Sequence, residues 1–250
     1  MFQKDGPSTI ELLKQSLSST QEGYNLLASK FDNTPFRSDR LVLTEITQQI
    51  KKYAPYNLAL DVCCGTGAGI ETIYPFIKQS ITGVDYSREM LKQAQKNLRQ
   101  KISKNYPNIK LIQKDIFKLN IKNKFDLAVC FGAYGHIDKK NQKKFLDNIN
   151  NALKSGGYFI FNLTDDLPWY CPKFIILKGF DIVMKIRNFL IKPEFIMYYM
   201  DFTASRLKTI IKSDLKWKLI DIIKLKKSGS IYNPSDCLVV LKKVNNDEKS

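Results

Sequence analysis

Between residues 57 and 162, short apolar runs alternate with stretches whose apolar residues recur three and four positions apart. The runs at 57–62, 80–84, 110–113, 125–131 and 158–162 have the length of strands. Between them lie helical patterns. Ser87 is a good N-cap, and Leu91, Ala94, Leu98 and Ile102 behind it form one stripe. A second helix is predicted over 138–154, with Phe145, Leu146, Ile149 and Leu153 on one face and Gly156-Gly157 as its stop. Strands and helices alternating at this length predict a parallel sheet with right-handed crossovers.

The flanks follow other patterns. Residues 18–53 read as two helices, carried by Tyr24, Leu27 and Phe31 and by Leu41, Ile46 and Ile50, with a turn at Thr34-Pro35-Phe36-Arg37. Lying ahead of the alternating core, this block is expected to cap or gate it. After Asn162 the alternation breaks into an insert at about 165–200, rich in large apolar residues with lysines between them, in which 179–190 is predicted helical and Pro193 ends it. The insert reads either as a lid over an apolar substrate or as a cap with snorkelling lysines. Leu207, Ile210 and Ile211 mark a short helix, and 217–225 and 237–244 are strands connected through Gly229, Asn233 and Pro234. Two successive strands without a helix between them predict an antiparallel pair that closes the sheet. The chain therefore divides into a helical cap at 1–52 with a frayed start, an α/β domain at 53–244 and a polar tail at 245–250.

Composition narrows the setting. The 250 residues suit one α/β domain with additions, and 44% hydrophobic content supplies its core. The net charge of +16 comes mostly from scattered Lys, since only six cations are Arg. That scatter suits compositional bias better than a nucleic-acid footprint, although an anionic partner stays open. Five Cys without a CxxC pair and a single His do not make a zinc site, so no metal is expected, and reduced thiols point to the cytoplasm. The N-terminus lacks a signal-peptide core, and no apolar run approaches the ~20 residues of a membrane span.

The chemistry concentrates at LDVCCGTGAG, residues 60–69. An acid, Asp61, ends the first strand, Gly65, Gly67 and Gly69 follow, and the next strand ends in Asp85, twenty residues after Gly65. Glycines let a ligand approach the backbone, and an acid at the second strand tip can accept both hydroxyls of a ribose. A dinucleotide fingerprint is GxGxxG and faces a pyrophosphate. Here the third glycine comes one residue early, and Asp61 would repel phosphate and suit a cation. S-adenosyl-L-methionine, with an ammonium, a sulfonium and no phosphate, fits better than NAD.

These residues resemble the class I S-adenosylmethionine-dependent methyltransferases, most closely the small-molecule and quinone-type branch. The resemblance covers about 53–157 and, by pattern, the final strand pair. It implies a doubly wound seven-stranded sheet of order 3-2-1-4-5-7-6 with one antiparallel strand. It assigns Asp61, Cys63, Gly65, Thr66 and Gly67 to the loop that holds the methionine part of the cofactor, with Cys63 standing where the family has a glycine. Asp85 matches the ribose acid in VDYSREML, with Tyr86 next to it, Met90 resembles the residue beside the adenine, and Asp115-Ile116-Phe117 matches the adenine-contacting acid and its neighbour. Phe125-Asp126 and LKSGG at 153–157 resemble the family's fourth-strand start and the turn before its fifth strand.

The fourth strand leads through Phe131 to Tyr134 and His136, on the side where an acceptor would meet the methyl group. His136 could act there as a general base or simply brace the loop. Tyr24-Asn25-Leu26-Leu27-Ala28-Ser29-Lys30-Phe31-Asp32 is similar to the family's YDxxAxxYD opening helix, with Asn25 as a departure, and implies Tyr24 and Phe31 as lid residues. No NPPY-like tetrapeptide or Pro-Cys follows strand four, which argues against the usual amide or adenine N-methylation and cytosine C5 chemistry. The expected activity is methyl transfer to O, N or C of a small, mostly apolar acceptor. An RNA methyltransferase and a dinucleotide oxidoreductase are the alternatives.

Overall fold

The computed structural model describes residues 5–34, 37, 40–102, 107–225 and 237–245. The predicted turn at Pro35-Phe36, the connection through Gly229, Asn233 and Pro234, and the end of the polar tail lie outside the described residues.

Seven strands form one sheet: β1 (Tyr56–Val62), β2 (Ile77–Asp85), β3 (Asn108–Gln113), β4 (Phe125–Cys130), β5 (Leu153–Leu163), β6 (Trp217–Lys224) and β7 (Cys237–Lys243). Their order is β3-β2-β1-β4-β5-β7-β6. Neighbouring strands from β3 to β5 pair in parallel, and β7 runs antiparallel to both β5 and β6. This is the expected topology.

Alternate residues of each strand serve opposite faces, so a sheet with apolar residues at nearly every position must be covered on both sides. Leu60, Phe159, Phe161 and Val239 face α6 (Gln142–Ala152) and α8 (Ala204–Lys212). Ala59, Leu127, Ile160 and Val240 face α3 (Arg40–Lys51), α4 (Ala68–Ile73) and α5 (Arg88–Lys101). Within α5, Leu91, Ala94 and Leu98 are buried as the stripe predicts, and the Ser87 side chain accepts from the Met90 amide at 3.1 Å.

Several features depart from the sequence reading. Residues 9–17 form a further helix, α1 (Thr9–Leu17), opened by a capping box between Ser8 and Glu11. Of the first three helices, α2 (Thr20–Leu27) reaches the cavity at the strand ends, through Thr20 and Tyr24. Val42, Ile46 and Ile50 of α3 are buried in the sheet core, so this helix is a layer of the domain and not a gate. The helix predicted over 138–154 ends at Ala152, ahead of the glycines. Leu153 pairs with Phe125 and draws the chain into β5, and Gly156 and Gly157 then fill an irregularity in the β4–β5 register. Gly156 takes φ +73°, and a side chain on Gly157 would crowd three backbone carbonyls. The insert helix α7 starts at Pro172 rather than near 179 and runs to Leu190.

Candidate functional site

A cavity of about 270 Å³ opens beyond the C-terminal ends of the central strands, where α/β sheets of this topology bind ligands. Asp61 ends its strand run inside this cavity and is 1% exposed. One of its carboxylate oxygens, Oδ2, is buried without a hydrogen-bond partner. Burial and the neighbouring Asp85 charge raise its pKa well above the usual carboxylate range, opposed by the Ile70 amide. Such a carboxylate is suited to a cation that would restore its charge.

Asp85 is held differently. Its two oxygens accept from the Gly65 and Ser87 amides, each at 2.9 Å. Burial still raises its pKa. Each oxygen keeps acceptor capacity for a hydroxyl. Asp115 caps a short 3₁₀ turn by accepting from the Phe117 amide at 2.9 Å, and Met90, Ile116 and Phe117 give this end of the cavity an apolar lining.

The glycine loop has distinct tasks. Gly65 lines the cavity at φ +52°, with open space where a side chain would be. Gly67 does not line it. Gly67 turns the chain at φ +93° into α4 and packs on Leu98. Gly69 lies against Asp61, so that a Cβ there would sit 2.5 Å from Oδ2. The early third glycine thus serves close packing of helix against acid. Cys63 adopts φ +54°, the left-handed conformation a glycine would take freely. Its thiol is kept neutral by its contact with Cys130 and by burial.

Another part of the cavity wall is built on His136. Its Nδ1 lies 2.5 Å from the Ile196 carbonyl, which assigns the proton to Nδ1 and leaves Nε2 as an acceptor. Nε2 meets the Tyr24 hydroxyl at 2.5 Å. Burial lowers the imidazole pKa and raises that of the phenol, so both stay neutral, with Tyr24 donating. Tyr24, Phe31 and Phe131 line the cavity beside them. Tyr134 does not reach it: the ring is buried and its hydroxyl bonds Thr164 Oγ1 at 3.0 Å, because the 3₁₀ turn Tyr134–His136 points successive side chains apart.

The roof is hung on the loops that follow β1 and β2. Gln21 donates to the Tyr86 carbonyl at 2.9 Å, and Ser87 donates to Asn25 at 2.7 Å. Thr66 donates to Asp32 at 2.7 Å, and Asn97 to the other Asp32 oxygen at 2.8 Å. The departure at Asn25 therefore has a partner of its own. Cavity residues that sequence reasoning misses include Thr20, Arg37 and Lys114, and Ile196 and Tyr199 from the segment after α7. Buried Asp181 of α7 accepts from the Tyr199 and Met200 amides, each at 2.8 Å, and Asn188 brackets the Phe195 backbone. Two polar residues in an apolar insert were the available signal.

Comparison with known proteins agrees with this geometry. A family model described as a methyltransferase domain matches residues 59–157. The chain is 32% identical over 163 residues to an uncharacterized protein of Methanocaldococcus jannaschii, covering 64% of this chain and 57% of that one. It is 30% identical over 109 residues to a malonyl-[acyl-carrier protein] O-methyltransferase of Halalkalibacterium halodurans, covering 41% and 37%. The chain thus spans little more than half of the first relative's length. Among solved structures, the N-methyltransferase NodS of Bradyrhizobium japonicum in complex with S-adenosyl-L-homocysteine has TM-score 0.63 at 15% identity, over 90% of this chain and 99% of that one. A DhpI complex has TM-score 0.65 at 15% identity, over 95% and 100%. Residues 59–157 match a methyltransferase domain, and the chain shares the fold of the solved methyltransferases it is similar to.

Proposed function

We propose that this protein transfers a methyl group from S-adenosylmethionine to a small, mostly apolar acceptor. The observation that carries the proposal is one cavity with two unlike ends. A buried acid with an unpartnered oxygen and a second acid at a strand tip suit a cationic nucleoside. Aromatic and aliphatic side chains around a single histidine suit an apolar acceptor.

S-adenosylmethionine supplies a methyl group on a positively charged sulfur that departs as a neutral thioether. Asp61 would hold the ammonium, Asp85 the ribose hydroxyls, and Met90, Ile116 and Phe117 the adenine. Tyr134 braces the loop of His136 through Thr164. Neutral His136 presents the Nε2 lone pair, and the acceptor takes the place of the Tyr24 hydroxyl there. As the acceptor oxygen or nitrogen attacks, Nε2 receives its proton. The walls align the nucleophile and exclude water, and that alignment supplies much of the rate.

Calorimetric titration with S-adenosylmethionine and with its demethylated product tests the cofactor. Binding is expected for both, and absence of binding at millimolar concentration by the folded protein overturns the reading. Transfer of labelled methyl to a panel of apolar alcohols, amines and carbon acids tests the acceptor class. Transfer only to polar or polymeric acceptors would sink it.

A further inference from the structure

The helix α7 is amphipathic in the wrong sense for a helix whose outer face meets water. Its buried stripe is Leu177, Asp181, Met184 and Asn188, half of it polar. Its outer face is aliphatic and aromatic. Ile175, Ile182 and Phe189 recur every seven residues, Ile176, Val183 and Leu190 form the adjacent row, and all six are exposed, Phe189 at 85%. Ile186 lies between the rows. At 3.6 residues per turn, Lys173 and Arg187 flank this arc on one side and Lys178 and Lys185 on the other. The single acid of the helix, Asp181, is on the buried side. Ahead of the helix stand Trp169 and Tyr170, 77% and 68% exposed. Beside it, Arg187 donates to the Ser16 and Ser18 carbonyls at 2.7 and 3.0 Å, tying down the end of α1, which exposes Ile10, Leu13 and Leu17.

We propose that the outer face of α7, with Trp169 and Tyr170, docks on an anionic phospholipid membrane surface. An apolar arc bordered by cations on both sides is the pattern of a helix lying in the interfacial plane. Lys173 and Lys178 meet lipid phosphates, with Lys185 paired to Asp201 and Arg187 tied to the α1 carbonyls beside them, while the apolar rows enter the acyl boundary, and Trp and Tyr are the side chains that prefer that boundary. The helix is not a span: no helix among the described residues is long and apolar enough to cross a membrane.

Charge complementarity selects the occupant. A second copy docked about a two-fold axis would set the same cations against one another, with no exposed acid on the helix to answer them. A nucleic acid would engage the lysines and leave the apolar rows in water. The inner face of α7 holds, through Asp181 and Asn188, the segment that brings Ile196 and Tyr199 to the cavity. Docking would therefore set a cavity wall directly behind the lipid-facing helix. The inference does not depend on the identity of the acceptor.

Vesicle binding tests it with a built-in reporter. The chain has two tryptophans, and Trp217 is buried at 6% exposure, so a blue shift of emission on adding vesicles reads Trp169. Phosphatidylcholine vesicles with about one-third phosphatidylglycerol should bind and shift the emission, and pure phosphatidylcholine should bind at least ~10-fold more weakly. Lys178→Gln should weaken binding roughly fivefold. Ile182→Ser with Phe189→Ser should weaken it at least ~10-fold with the urea midpoint retained, since both side chains already face water. Failure to bind the anionic vesicles, or binding indifferent to these substitutions, overturns the proposal. So does a wild-type dimer that Ile182→Ser with Phe189→Ser disperses while vesicles bind neither protein.

Discussion

Gly69→Ala separates the packing role of the glycine loop from its stability. In a helix interior this change ordinarily stabilises by about 1 kcal/mol, an upper bound for Gly69, the second residue of α4. Here the new Cβ would lie 2.5 Å from Asp61 Oδ2 and 2.9 Å from both Oδ1 and Cγ. Carbon and oxygen settle near ~3.3 Å, so the carboxylate must retreat by about 0.8 Å. Overpacking of this kind costs about 1–3 kcal/mol, which the helix gain partly offsets, leaving a net loss of roughly 0–2 kcal/mol. The consequence for the site is larger, because a displacement near 1 Å at a positioning group costs about 100-fold. Calorimetry should therefore show S-adenosylmethionine affinity falling roughly 30–100-fold, with the urea midpoint little changed. Gly179→Ala, on the exposed side of α7 with open space around it, is the control and should gain about 0.5–1 kcal/mol without altering affinity. An affinity for Gly69→Ala within about threefold of wild type, in a protein of unchanged stability, would refute the role given to Asp61.

Three further outcomes follow from particular contacts. Cys63 sits at positive φ, so Cys63→Gly should stay within about 1 kcal/mol of wild type in urea unfolding, while branched Cys63→Val should cost at least about 1 kcal/mol more than the glycine variant. Burial lowers the folded-state pKa of His136, so the neutral form is favoured on folding and its stabilising contribution is complete above the unfolded value near 6.5. That contribution should be lost as pH falls below about 6.5, and His136→Gln should show a shallower decline of stability there; equal slopes would contradict a buried neutral imidazole. Lys243 Nζ donates to the Asn150 and Leu153 carbonyls at the end of α6 and to Asn123 Oδ1, at 2.7–2.9 Å. Lys243→Ala should cost about 1–2 kcal/mol in chemical denaturation, and a neutral result would remove β7 as the clasp of that helix.

The sheet was legible because its central strands are apolar on both faces and helix-period stripes, at 91–102 and 145–153, stand between successive apolar runs. The candidate site was legible where chemistry sits next to backbone geometry: Asp61 lies one residue before the end of β1, Asp85 ends β2 and Asp115 caps a 3₁₀ turn. Other features depended on distant partners. Nothing local separates Gly67, which packs on Leu98, from Gly65, which lines the cavity. The direction of Tyr134 follows from its bond to Thr164, thirty residues away. Ile196 and Tyr199 reach the cavity only because Asp181 and the Ile196 carbonyl make contacts that span the fold. The glycines at 156–157 looked like a helix stop because both a C-cap and a strand irregularity call for the same residue.

On the role proposed for His136, its hydrogen bond with Tyr24 makes the roof an intramolecular competitor of the substrate. Any acceptor that takes Nε2 must win it from a phenol tethered a few ångströms away and already desolvated. If that bond holds with about 1.4 kcal/mol, only about one molecule in ten presents a vacant Nε2, and the apparent acceptor affinity falls about tenfold below the intrinsic one. By reciprocity, ligands that tighten α2 on the Tyr86-Ser87 loop make acceptors bind less well by the same factor. Tyr24 would then set how much acceptor must accumulate before the enzyme responds, a threshold written into one side chain of a helix remote in sequence from the chemistry.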